Sequence, residues 1–163
     1  MRYILRQREI VADDWAYAGE PVVATSAVVV PLAELRAEEA RWRSWRGRLG
    51  VRLSPADAPE QLADLLPLLK LVAIEFPNAG DGRGYSQAHL LRARLEFHGE
   101  LRAVGAGVKQ DKVFLLARCG FDAMELAAGE DPEAARRALT RYTVGYQPGA
   151  PQAALRLQRY PAP

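Results

Sequence analysis

A chain of 163 residues, 49% hydrophobic and 26% charged, fits one globular domain whose core needs neither a disulfide nor a metal to fold. Its 22 basic and 20 acidic residues leave a formal charge of +2, without the concentrated basic excess of a nucleic-acid binder. A single cysteine, Cys119, excludes an intramolecular disulfide. With no apolar leader at Met1–Arg8 and no run of about 20 apolar residues, it points to the cytoplasm and away from membranes.

In chain order, the stretch from Tyr3 to Tyr17 mixes apolar and charged residues and reads as a small strand or hairpin, with a loop at Gly19-Glu20-Pro21. Val28-Val29-Val30-Pro31-Leu32 is a short apolar run, consistent with a strand buried on both faces. Ala33 to Arg46 is rich in Ala, Glu, Leu and Arg, which favour helix, and Gly47 is its stop. Leu49–Leu53 is the next strand. Ser54 or Asp57 then caps a helix from Pro59 to Leu69. Leu71–Phe76 is the clearest strand, and a glycine-rich loop leads from it into a helix from Tyr85 to Phe97 that ends at His98-Gly99. Glu100–Gly105 (strand), Lys109–Arg118 (helix) and Phe121–Ala127 (strand) follow. Asp131-Pro132-Glu133 is an N-cap with proline at the first helical position, opening a helix to Thr140. Tyr142–Gln147 is a short extended piece that closes a domain of residues 1–147, and Pro148–Pro163 is a tail without periodicity.

Strands separated by helices imply an α/β fold with a mainly parallel sheet and right-handed crossovers. The chain is too short for eight βα units, so two forms are open: an open sheet, or a half-barrel of sequentially ordered strands. In either, ligands bind beyond the carboxyl ends of the strands. That edge carries Arg52 with Ser54, Glu75 with the loop Asp81 to Ser86, Gly105 to Asp111, and Glu125.

The loop Gly80-Asp81-Gly82-Arg83-Gly84-Tyr85-Ser86 supports two readings. Its glycines allow close backbone approach, the following helix start offers free N–H groups, and Arg83 adds an oxyanion fork; together these could cradle a phosphate, sulfate or carboxylate. In the other reading the loop is a tight turn in which Asp81 caps the helix and pairs with Arg83. Gly105-Ala106-Gly107 after a strand evokes a dinucleotide fingerprint, but Gln110 stands where the third glycine is required, so no dinucleotide cofactor is expected. Cys119, at a helix C-terminus, is a packing residue rather than a nucleophile. His89 and His98 form no metal-ligand spacing. Trp42 and Trp45 continue the face begun by Leu32 and Leu35, which makes them core anchors, with Arg41, Arg43, Arg46 and Arg48 solvated.

LVAIEFPNAGDGRGYSQAHLLRARLEFHGELRAVG and, after a gap, RCGFDAMEL resemble a bacterial family, domain of unknown function 934. The resemblance implies a companion of assimilatory sulfite reductase, since such genes lie beside it and some members carry the label oxidoreductase. It transfers no catalytic residue and no cofactor. Where the family pattern has an acidic residue after Gly105, this chain has Ala106-Gly107, leaving Asp111 as a substitute.

The leading expectation is therefore an accessory protein of sulfate or sulfite reduction that binds the reductase or a small anionic ligand through Arg52, Asp81, Gly82, Arg83, Gly84, Ser86, Gly105 and Glu125. Its rivals are an enzyme acting on a phosphorylated or sulfated metabolite, with Glu75, Asp81 or Asp111 as acid/base, and a purely structural partner.

Overall fold

The computed structural model describes residues 2–21, 23 and 26–140. The extended piece expected at Tyr142–Gln147, the domain limit at 147 and the tail lie outside the described residues. The chain opens with a hairpin of β1 (Tyr3–Arg6) and β2 (Glu9–Ala12), then the short β3 (Ala16–Tyr17). It continues through β4 (Val28–Pro31), α1 (Leu32–Ala37), α2 (Glu39–Arg43) and β5 (Leu49–Leu53). After β6 (Leu69–Glu75) come α3 (Arg83–His89), β7 (Glu100–Val104), α4 (Val113–Arg118), β8 (Ala123–Met124) and α5 (Pro132–Thr140).

All strands form one eight-stranded sheet in the order β2-β1-β8-β7-β6-β5-β4-β3. From β3 to β8 neighbours are sequential and parallel, while β1 and β2 are added antiparallel beyond β8. β2 and β3 are thus the two edges of the sheet, although only Asp13, Asp14 and Trp15 connect them. A flat sheet of eight strands would hold its edges about 34 Å apart, at ~4.8 Å per step. The four residue steps from Ala12 to Ala16 reach about 14 Å at most. The sheet is therefore curled into a half-barrel, which decides between the two topologies left open by the sequence.

Alternation along each strand divides the interior into two cores. Val28, Val30, Val51, Leu53, Val72, Ile74, Leu101, Ala103 and Met124 pack outward under Leu35, Trp42, Leu91, Leu116 and Leu139 of the surrounding helical segments. Val29, Leu71, Ala73 and Val104 face the concave side, where Trp15 of the connecting strap covers them. Gly50 fits under Trp15: a Cβ there would lie 3.2 Å from both the indole and Leu71.

Several helices differ from their sequence-based expectation. The helix expected over Ala33–Arg46 is interrupted at Glu38 (φ −120°, ψ 35°) and ends at Ser44, short of Gly47. There the Ser44 hydroxyl bonds to the Arg41 carbonyl at 2.8 Å and competes with the helical ladder. Pro59–Leu69 forms two short 3₁₀ turns, Pro59–Leu62 and Leu66–Leu68, because Pro67 cannot continue an α-helical ladder; Leu69 already belongs to β6. Neither Ser54 nor Asp57 is a helix cap, since the Asp57 carboxylate instead accepts the Ser54 N–H at 2.7 Å. The helix expected from Tyr85 begins at Arg83 and widens into a π turn at Leu90–Arg94, ending before Glu96 (φ 51°). That turn aims Arg92 inward, where it donates to the carbonyls of Phe97, Gly99 and Gly120 and to Asp122 Oδ2 at 2.6 Å. Burial pulls the Arg92 pKa down to about 10, which leaves it charged at neutral pH. The helix expected over Lys109–Arg118 starts only at Val113, and the strand expected at Phe121–Ala127 is paired only over Ala123–Met124.

The tryptophan stripe is a core feature. Trp42 is buried, and Trp45, half-buried, stands 5.4 Å from it and donates its indole N–H to the Ser26 carbonyl at 3.1 Å. The arginines around it pair with carboxylates: Arg41 with Glu38, Arg43 with Glu39 and Asp64, and Arg48 with Asp14. Among the described residues no helix is long and apolar enough to cross a membrane.

Candidate functional site

Because Leu49, Val51 and Leu53 point to the helices, Arg52 points to the concave face near the carboxyl end of β5. Glu75, the last residue of β6, reaches the same face, and Arg52 Nη2 lies 3.0 Å from Glu75 Oε1. Both side chains keep about a third of their surface in water, 37% and 30%. Glu125 follows β8, anchored by its N–H to the Ala103 carbonyl at 2.9 Å. The Tyr17 hydroxyl of β3 donates to Glu125 Oε2 at 3.3 Å, across the curl of the barrel.

Beneath this rim lies a buried charge network. Arg102, on the inward side of β7, is 0% exposed, as is the Asp13 side chain it meets at 2.9 Å. Arg102 Nη1 also donates to the Tyr17 hydroxyl at 3.2 Å, and Nε donates to Glu100 Oε1 at 2.9 Å. Nη2 lies 2.8 Å from the same Glu100 oxygen without hydrogen-bond alignment, so that contact is Coulombic. Burial works to strip the proton from Arg102, but Glu100, Tyr17 and Asp13 outweigh it and hold the guanidinium above its ordinary range. Burial raises the Tyr17 phenol as well, with Arg102 opposing and the net effect upward. Arg2 stacks 4.3 Å above the Tyr17 ring and pairs with Asp13 and Glu20. Arg6 pairs with Glu100 at 3.0 Å.

The glycine loop takes a different form. Asp81 accepts from the Arg83 backbone N–H at 3.1 Å, from Nε at 3.0 Å and from Nη2 at 2.6 Å. Arg83 is otherwise in solvent, 63% exposed, and Ser86 is exposed too. Gly82 precedes α3 with open space around it, whereas a Cβ on Gly84 would sit 2.6 Å from the Phe76 ring, so Gly84 serves helix packing. Gly105 adopts φ +106° and its Cβ position lies 2.6 Å from the Phe76 carbonyl; here only glycine fits. The Gly107 N–H donates to that carbonyl at 2.8 Å, joining the loops after β6 and β7. Asp111 is exposed in the turn before α4.

Of the expected site residues, the fold thus gathers Arg52, Glu75 and Glu125 on the concave face. Asp81 and Arg83 are bonded to one another, Gly82, Gly84 and Gly105 belong to turns and packing, Ser86 is an exposed residue of α3, and Asp111 stands apart. The concave face adds Tyr17, Asp13, Arg102 and Arg2, which the sequence reading passed over. One signal was available: Arg102 interrupts the apolar run of β7 at an inward position, and a buried guanidinium requires a carboxylate from elsewhere. Cys119 is half-buried, its thiol pushed up chiefly by burial. Among the described residues no group of His, Cys, Asp and Glu could hold a metal ion.

These features define the class: an α/β half-barrel of sequential parallel strands with a charged concave face. The family model described as bacterial protein of unknown function (DUF934) matches residues 50–155, more than half of the chain, and the chain belongs to that family. No curated protein matches it. The matched region begins within β5, so β1 to β4, with Asp13 and Tyr17, lie outside it.

Proposed function

We propose that this DUF934 protein is an accessory factor of assimilatory sulfate or sulfite reduction, holding a small oxyanion at the carboxyl edge of its strands and acting beside sulfite reductase. The pathway and the partner come from the family resemblance. The ligand reading is carried by one observation, the Arg52–Glu75 pair on the concave rim, about a third of it open to water. Such a pair contributes only about 0–1 kcal/mol, so an incoming oxyanion can take the place of Glu75 at little cost. A charge-assisted contact to the Arg52 fork then contributes on the order of 1.5–3 kcal/mol. Arg83 is the weaker candidate because Asp81 already fills its fork.

Calorimetric titration of the full chain with sulfite, sulfate and phosphate tests this. Arg52→Ala should weaken binding about tenfold or more, while Arg83→Ala should leave it unchanged. Equal affinity in Arg52→Ala and wild type overturns the site, and failure to co-purify with sulfite reductase removes the partner.

The contact between the Tyr17 phenol and Glu125 favours a second reading, an enzyme acting on a phosphorylated or sulfated metabolite. A phenol and a carboxylate beside the strand ends form a proton-transfer pair, with Glu75 as a further acid/base. Ester turnover abolished by Tyr17→Phe in a still-folded protein would select this reading.

A further inference from the structure

We infer that the ligand of the concave rim is a zwitterion, a small molecule joining an oxyanion to an ammonium group. The inference rests on the reading that Arg52 receives an anion.

Arg52 is not a free cation awaiting a counter-ion. Its Nη2 is 3.0 Å from Glu75 Oε1, and the next carboxylate on the same face, Glu125, accepts from the neutral Tyr17 hydroxyl at 3.3 Å and lies within the electrostatic reach of Arg2. An anion that takes Arg52 releases Glu75, leaving a carboxylate beside Glu125 without a cationic partner. The register sharpens this: Glu75 is paired with Val104 of β7, and Glu125 bonds to the Ala103 carbonyl of that strand from its other side. Both carboxylates therefore flank one strand at the same edge. The other cations described on this face are committed elsewhere: Arg102 is fully buried against Asp13 and Glu100, and Arg2 pairs with Asp13 and Glu20.

A simple anion thus exchanges one ion pair for another, gaining the Arg52 contact but leaving the Glu75 carboxylate without its cation. A simple cation does the reverse and isolates Arg52. A ligand with both charges opens the Arg52–Glu75 pair and satisfies each half: the oxyanion lies on the guanidinium fork and the ammonium between Glu75 and Glu125. It is the pairing already present that selects against single-charge competitors.

Taurine and isethionate provide the test, because both carry the same sulfonate on two carbons and differ only in an ammonium against a hydroxyl. Titrated into the full chain at neutral pH, taurine should bind at least about tenfold more tightly than isethionate. Glu75→Gln should erase that preference by leaving isethionate equal or better, and Arg52→Ala should weaken both. Equal affinity for the two ligands in the wild type, or a preference that survives Glu75→Gln, overturns the inference while leaving Arg52 as an anion site. Absence of binding by sulfate, isethionate and taurine alike overturns the anion reading itself, and the inference with it.

Discussion

The glycine loop and the concave face both set arginine beside carboxylate, yet the two arrangements differ in kind. In the loop, Asp81 and Arg83 are two residues apart and complete within themselves, with Arg83 exposed. On the concave face, Arg102 meets Asp13 from 89 residues away and Tyr17 meets Glu125 from 108 residues away, with Arg102 and Asp13 sealed from water. Charges close in sequence pair with each other and leave the fold indifferent to them. Charges that pair across the barrel become part of its architecture, because each is buried only as long as the other is present.

The sharpest way to break this contrast is Arg102→Ala. It leaves Asp13 buried beside a cavity and weakens the hold on Glu100, and should cost about 3–5 kcal/mol in urea or thermal unfolding. Loss below 1 kcal/mol would show that the network is not what closes the barrel. Next, Gly84→Val drives a side chain into the Phe76 ring and should cost about 1–3 kcal/mol, whereas Gly82→Ala, in open space, should stay within about 0.5 kcal/mol. A reversal of that order would move the loop's importance from packing to the turn itself.

Tyr17→Phe should cost about 1 kcal/mol at neutral pH through the lost hydroxyl contacts. Its informative signature is alkaline. The folded phenol holds its proton more tightly than the unfolded one, so between the ordinary phenol range near pH 10 and the raised folded value the native state binds more protons. Stability from this group is complete below about pH 10 and declines as pH rises through the folded pKa. The Phe variant lacks that decline, which parallel unfolding curves at about pH 9 and about pH 11 would detect. Smallest of all, Arg83→Ala should leave the melting temperature nearly unchanged, since the side chain it removes is 63% exposed and pairs with Asp81 at the surface.

Local signals carried much of this fold. β5 spans Leu49–Leu53 as its pattern predicts, and α5 opens at Asp131-Pro132 with the Asp131 carboxylate accepting the Glu133 N–H at 2.9 Å. Parallel α/β order followed from alternation alone. Legibility failed where distance along the chain entered. β3 is two residues long and exists only because β4 pairs with it, and the curl follows from where the strap lands rather than from any periodicity. The site shows the same division. Arg52, Glu75 and Glu125 were legible from strand direction, while Tyr17 and Asp13 came from an N-terminal segment with no motif. The glycine loop drew attention because its residues look like a ligand cradle, and its own aspartate fills the arginine fork.

The strap of Asp13, Asp14 and Trp15 also bears on kinetics. Each βα unit can form from contacts short in sequence, but the seam between β2 and β3 closes only once nearly the whole sheet exists, because its polar ties reach β7 and the end of β8. Non-local closure of this kind slows folding more than it weakens the folded state. Until it occurs, Arg102 and Asp13 remain hydrated, so the final step must strip water from two opposite charges as they meet. Refolding of this half-barrel should therefore have a late phase that slows with added salt, while the helices and central strands assemble before it at a rate salt hardly touches.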